Sequence, residues 1–125
     1  MDGKKYNMKY IIAGGRDFNN YPALAKALNT FTNISEIISG DARGADSLGM
    51  LYATARHIPV KHFPAQWNVY GKSAGFIRNA EMGHYADAAI CFWDGKSRGT
   101  QHMINTMRHL QKPVFVFNYE GELMQ

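Results

Sequence analysis

Three apolar runs in this chain end abruptly in glycine-bearing polar segments that carry an arginine. They are Gly14-Gly15-Arg16-Asp17, Gly40-Asp41-Ala42-Arg43-Gly44-Ala45-Asp46 and Asp94-Gly95-Lys96-Ser97-Arg98-Gly99-Thr100. Helical periodicity follows each one. Strand, glycine-rich turn and helix together make an anion site, because glycine lets backbone N–H groups approach closely and the helix N-terminus adds partial positive charge. Guanidinium groups at Arg16, Arg43 and Arg78 add charge-assisted, bidentate bonds suited to phosphate. Lys72, Lys96 and Arg98 lie in or beside the same kind of segment. A phosphate-bearing small molecule is therefore the leading expectation for the ligand.

Each feature also has a plainer reading. The glycines can serve tight strand-to-helix turns alone. Arg43 can pair with Asp41 or Asp46, and Arg78 with Glu81, as surface ion pairs worth under ~1 kcal/mol. Trp93 follows a buried run and reads as core, as does the Met103/Met107 stripe; Trp67 and Tyr70 lie in a loop and stay open. No segment matches G-x-G-x-x-G or a P-loop, which argues against an ordinary dinucleotide dehydrogenase or ATPase. The five histidines form no H-x-x-x-H or H-E-x-x-H pair and have one cysteine for company, so neither a metal nor another cofactor is expected. Cys91 sits mid-strand and reads as a small buried hydrophobe.

The elements that must position these segments alternate along the chain. Met8–Ala13 reads as a strand, and Pro22 opens a helix with Leu24, Leu28 and Phe31 on one face. Ile34–Ser39 is a second strand, followed by a helix marked by Leu48, Leu51, Tyr52 and Ala55. Ile58–Phe63 is a third strand. Pro64–Lys72 reads as a long aromatic loop and Ser73–Ala86 as a helix. Ala88–Trp93 is apolar throughout, as a strand buried on both faces would be. Thr100 is expected to cap a helix facing inward through Met103, Ile104, Met107 and Leu110. Pro113 then opens the strand Val114–Phe117, and Asn118–Gln125 reads as a peripheral tail. The order βαβαβαβαβ implies an α/β domain with a mostly parallel five-stranded sheet and helices on both faces.

The 125 residues fit one domain, 1–125 with a core of about 8–117, and the hydrophobic share of 46% is ordinary for a globular protein. A net charge of +4 favours anionic partners without naming them, and Lys4, Lys5 and Lys9 read as a solvated end. The polar start, short apolar runs and lone cysteine lead to the expectation of a cytoplasmic protein with no membrane segment.

Taken together, Gly14-Gly15-Arg16-Asp17-Phe18, the Ser39–Asp46 segment, the block from Phe63 through Trp67 and Tyr70 to Arg78-Asn79-Ala80-Glu81-Met82, and Asp94–Thr100 resemble the SLOG superfamily, in particular its YspA-related branch. The resemblance runs from about Ile11 to Phe117. It implies a Rossmann-like fold that binds nucleotides or molecules derived from them. The wider superfamily includes nucleoside-monophosphate phosphoribohydrolases, DNA-processing proteins that hold single strands, and domains that sense cyclic ADP-ribose-type signals in antiviral defence. The phosphoribohydrolases carry P-G-G-x-G-T-x-x-E; here Gly99-Thr100-Gln101-His102-Met103 puts Met103 where the catalytic Glu stands. A thioether can act neither as general base nor as a partner for an oxocarbenium charge. Glu81 and Asp94 are the carboxylates left as candidate catalysts.

On this reading the amides of Gly14, Gly15, Gly44, Gly99 and Thr100, with the Thr100 hydroxyl, hold phosphate oxygens. Asp46 accepts from ribose hydroxyls, and Trp67 or Tyr70 stacks on a base. Asp17, Gly40, Lys72, Asn79, Asp94, Gly95 and Ser97 complete the expected ligand-binding set with Arg16, Arg43 and Arg78. Three functions compete, in this order: a sensor or sequestering module for an ADP-ribose-like or mononucleotide-like molecule, a nucleotide-cleaving enzyme, and a single-strand nucleic-acid binder. A homodimer or higher homo-oligomer is expected.

Overall fold

A computed structural model of the chain describes residues 7–124. Lys4, Lys5 and Gln125, which belong to the expected solvated end and tail, lie outside the described residues. Five strands form one sheet: β1 Met8–Gly14, β2 Ile34–Ser39, β3 Val60–His62, β4 Ala88–Phe92 and β5 Val114–Phe117. Their order is β3-β2-β1-β4-β5, and every neighbouring pair is parallel. Five helices accompany them: α1 Tyr21–Leu28, α2 Ala45–Ala55, α3 Trp67–Tyr70, α4 Ala74–Tyr85 and α5 Arg98–His109. None of the helices among the described residues is long and apolar enough to cross a membrane.

The period-two alternation of β1 divides the core. Tyr10 and Ile12 face one side with Leu24, Leu28, Tyr52 and Ala53 of α1 and α2. Ile11 and Ala13 face the other with Met82, Met103, Ile104 and Met107 of α4 and α5. All five residues of β4 are buried, as a strand covered on both faces requires. Cys91 lies among them, and burial pushes its thiol up to about 12, which makes it inert near neutrality. Trp93 packs partly against the α4–α5 side, and its indole N–H donates to the Ser97 carbonyl at 3.0 Å.

Several boundaries differ from the sequence reading for identifiable reasons. Leu51, expected on the inner face of α2, is 55% exposed, and the buried face is Ala45, Asp46, Gly49, Tyr52 and Ala53. Small residues let this helix approach β1 so closely that a Cβ on Gly49 would come within 2.8 Å of Ile12. Helix α5 starts at Arg98, and its cap is Ser97, not Thr100: the Ser97 hydroxyl accepts from the Thr100 amide at 3.4 Å. The expected aromatic loop instead contains the single turn α3, then a 3₁₀ turn over Gly71–Ser73 that runs into α4. Strand β3 is shorter than expected, because Pro59 has no N–H to give the ladder; its carbonyl still accepts from Ile37 N at 2.9 Å. The tail folds back on the sheet edge, with Met124 N donating to Val116 O at 2.6 Å.

Strand order reverses between β1 and β4, whose carboxyl ends are in register at Gly14 and Phe92. Loops leaving these two strands run to opposite sides of the sheet, and the crevice they leave is where open α/β sheets take ligands.

Candidate anion-binding cleft

The β1–α1 turn carries Gly15, whose carbonyl accepts from Phe18 N at 3.2 Å and from Ala45 N at 3.4 Å. The second bond draws the N-terminus of α2 against the turn. Gly44 makes this approach possible: its φ is +76°, and a Cβ there would overlap the Gly15 carbonyl and the Arg16 backbone. Gly15 N is already donated to Phe92 O at 3.3 Å, so it is not available to a ligand. The amides of Arg16 and Asp17 have no backbone acceptor among the described residues.

The β2–α2 loop is bound to itself and to α4. One Asp46 carboxylate oxygen, Oδ2, accepts from Gly40 N at 3.1 Å and Ala42 N at 3.3 Å. Arg78 reaches from α4 to donate through Nη1 to the Gly40 carbonyl, and through Nε to Asn79 Oδ1 at 3.1 Å. Burial pushes Asp46 up to about 6, outweighing the two amides and the Arg78 charge that favour its ionised form. Burial likewise lowers Arg78 from its ordinary value; Asp46 opposes the shift and the neighbouring Arg16 charge adds to it. Both guanidinium groups line the same cleft, where an anion would offset their like charge. Arg78 does not pair with Glu81, and Asp41, at φ +61°, meets His62 Nδ1 at 2.7 Å instead of Arg43.

In the β4–α5 loop, Asp94 Oδ1 accepts from Ser97 N at 2.8 Å and Lys96 N at 2.9 Å. Those bonds hold its carboxyl below the usual carboxylate range. The Ser97 and Thr100 hydroxyls lie 3.0 Å apart, and Thr100 N is used by the cap. Ahead of it, the amides of Arg98 and Gly99 have no backbone acceptor among the described residues. Asn79, buried on α4, donates to Gly99 O and faces His102 Nδ1, each at 3.2 Å. With its oxygen turned to Arg78, Asn79 presents its NH₂ to the imidazole, which places the His102 proton on Nε2. Burial lowers the pKa of His102 and favours that neutral form.

These loops enclose a cleft of about 550 Å³ at the β1/β4 switch point, within the ~300–1,000 Å³ span of small-molecule sites. Gly14, Gly15, Arg16, Asp17, Asp46, Trp67, Lys72, Arg78, Asn79, Asp94, Ser97, Gly99 and Thr100 all line it. Gly40 and Arg43 line an adjoining groove of about 270 Å³, which shares Arg16, Ala42, Trp67 and Arg78 with the cleft.

Three members of the expected set line neither cavity: Gly44 is spent on the turn, Gly95 shapes its own loop at φ +83°, and Tyr70 on α3 is exposed. Glu81 is exposed and outside the cleft lining, so the helix turn that brings Arg78 and Asn79 in carries it away. Asp46 and Asn79 line the cleft but use their polar atoms largely to hold loops. Met103 is part of the lining, a buried thioether where a carboxylate would be needed. Phe76, Gly75 and Lys96 also line it, and nothing in the sequence marks Phe76 as a cleft residue. A lone aromatic in a helix's first turn looks like core; only its exposure of 49% reveals it. No cluster of three or more potential metal ligands occurs among the described residues.

Comparison with known proteins places this cleft in context. The family model described as "YspA, cpYpsA-related SLOG family" matches residues 8–70. Gene 61 protein of Mycobacterium phage D29 is 32% identical over 120 residues, which cover 87% of this chain and 95% of that protein. Among solved structures, DNA processing protein A (DprA) from Streptococcus pneumoniae matches 90% of this chain with a TM-score of 0.72 at 14% identity. The match spans 50% of the DprA chain and shows a shared Rossmann-like fold.

Proposed function

Because the chain belongs to the YspA, cpYpsA-related SLOG family, we propose that it binds a phosphate-bearing molecule derived from a nucleotide, of mononucleotide or ADP-ribose size, in the cleft between β1 and β4. The observation that carries this reading is that Arg16 and Arg78 line one cleft together with Ser97, Gly99 and Thr100 at the N-terminus of α5. Two guanidinium groups in one cleft, with the Arg16, Asp17 and Gly99 amides in its lining and without backbone acceptors among the described residues, suit oxygens bearing negative charge. Isothermal titration with AMP, ADP and ADP-ribose tests it. Binding at micromolar concentrations that weakens at least tenfold in Arg16→Ala is expected; no heat from any of them at millimolar concentration overturns it.

The chemistry of the cleft favours holding over cleaving. Met103 stands where a carboxylate would act, Glu81 faces away, and Asp94 Oδ1 is occupied by two amides. AMP and ADP-ribose incubated with the protein are expected to yield no free base or ribose phosphate. A second reading, single-stranded nucleic acid, is favoured by the continuity of cleft and groove through Arg16, Ala42, Trp67 and Arg78. Micromolar or tighter binding of an oligonucleotide that falls steeply with salt, exceeding that of any mononucleotide, would favour it. Assembly into a homodimer or larger is part of the proposal, supported by exposed Leu51, Val69 and Tyr70, and light scattering measures it.

A further inference from the structure

Phe76 and Trp67 are large aromatics left half in solvent, and both line the cleft. Gly75 lies between them: Trp67 comes within 3.6 Å of the place a Gly75 Cβ would occupy. Among the described residues the two rings make no ring contact with one another, so each has surface to offer. Phe76 is backed on one side by His102, with ring centroids 4.2 Å apart and planes 16° apart. The imidazole is itself held by Asn79, whose side-chain NH₂ also holds the Gly99 carbonyl in the β4–α5 loop. One buried amide thus fixes both the stack behind Phe76 and the loop at the N-terminus of α5.

We infer that Phe76, backed by His102 and facing the cleft beside Trp67, is the platform on which the ligand's heteroaromatic base stacks, so that the ligand retains its base. This rests on the phosphate-binding reading of the same cleft and adds which end of the molecule confers selectivity. A rigid, pre-stacked ring suits that task because little side-chain freedom remains to be lost on binding. Asn79 sets the base platform and the phosphate loop in one frame, so a ligand with both groups engages both ends at once.

AMP and ribose 5-phosphate share a phosphate and ribose and differ by the base, which makes them the probes. Wild-type protein is expected to bind AMP at least tenfold more tightly, and Phe76→Ala to lower AMP affinity by about tenfold or more while leaving ribose 5-phosphate unchanged. Phe76→Tyr keeps a ring and is expected to keep the preference, which controls for loss of folding. An unchanged AMP to ribose 5-phosphate ratio in Phe76→Ala overturns the platform but leaves the phosphate site standing. Failure of the wild type to bind either compound overturns both.

Discussion

The β2–α2 and β4–α5 loops are both glycine-bearing, both carry aspartate and arginine, and both precede a helix, yet they are wired in opposite directions. In the first, the Asp46 carboxylate and the Arg78 guanidinium are turned inward onto the amides and carbonyl of the loop itself. In the second, the Asp94 carboxylate closes a short turn by accepting from the Lys96 and Ser97 amides, and the Gly99 amide, without a backbone acceptor among the described residues, belongs to a residue that lines the cleft. One loop is a brace; in the proposed function the other is a receptor. Similar composition hides the difference because it lies in which polar atoms are already satisfied.

The largest test of that contrast uses glycine. Gly44→Ala forces a side chain into the Gly15 carbonyl at a left-handed φ and is expected to destabilise by about 3 kcal/mol or more. Gly99→Ala meets open space in the first turn of α5 and is expected to change stability by no more than ~0.5 kcal/mol. Urea denaturation measures both, and equal losses would erase the distinction between brace and receptor.

Next in size is the pH response of the brace. Asp46 has its folded pKa raised from 3.8 to about 6, so the native state keeps its proton after the unfolded chain has lost its own. Its contribution is full below pH ~4 and is lost as pH climbs to about 6, by somewhat under ~3 kcal/mol. Comparing the unfolding free energies of wild type and Asp46→Asn between pH 4 and 7 isolates this group: the wild type should fall by that amount relative to the variant. A difference independent of pH would mean that Asp46 is ionised throughout. In the same window protonation of Asp46 should partly offset the charge that a nucleotide phosphate loses on the acid side, so AMP binding should weaken more steeply toward low pH in Asp46→Asn than in the wild type.

The arginines separate stability from affinity. Arg78→Ala removes the bond to Gly40 and strips buried Asp46 of its counter-charge, at an expected cost of about 2 kcal/mol in stability. Arg16 is exposed, so Arg16→Ala should leave stability within ~0.5 kcal/mol while weakening AMP by ~1.5–3 kcal/mol. Thermal melts and titration on the same two variants provide the check, and a large stability loss in Arg16→Ala would place it in the brace.

Much of this architecture is legible in sequence, and for physical reasons. Strand-length apolar runs such as Ala88–Trp93 and the i, i+3, i+4 spacing of α5 depend on local pattern, so all five strands and the principal helices follow. The gathering of Arg16 and Thr100 into one cleft follows from topology, which brings together the carboxyl ends of parallel strands, whereas for Trp67 the sequence leaves its place open. What sequence hides is atom-level commitment. Nothing in the string shows that Asp46 spends Oδ2 on two amides or that Tyr70 lies outside the cleft lining. Helix α3 escapes notice because four residues with no buried face carry no periodicity. Phe76 escapes because its partner His102 lies 26 positions away on another helix.

The tail provides the finest test of the contrast, since it enters the β1–α1 turn from a segment that reads as peripheral. The Tyr119 hydroxyl donates to Asp17 Oδ1 at 2.6 Å, and its ring packs edge-on against Phe18 with centroids 5.0 Å apart. Burial first, then the bond to Asp17, raises the phenol above its ordinary pKa, so it remains a donor at neutral pH. Asp17 lines the cleft, and under the proposed function the O–H would partly offset a carboxylate that repels an entering phosphate. Tyr119→Phe keeps the ring packing and removes only this bond. Stability should fall by ~1 kcal/mol or less, because the pair is solvent-exposed, and AMP should bind about twofold more weakly. Tighter binding in Tyr119→Phe would show instead that the tail holds Asp17 where it obstructs the ligand, making this turn a second brace.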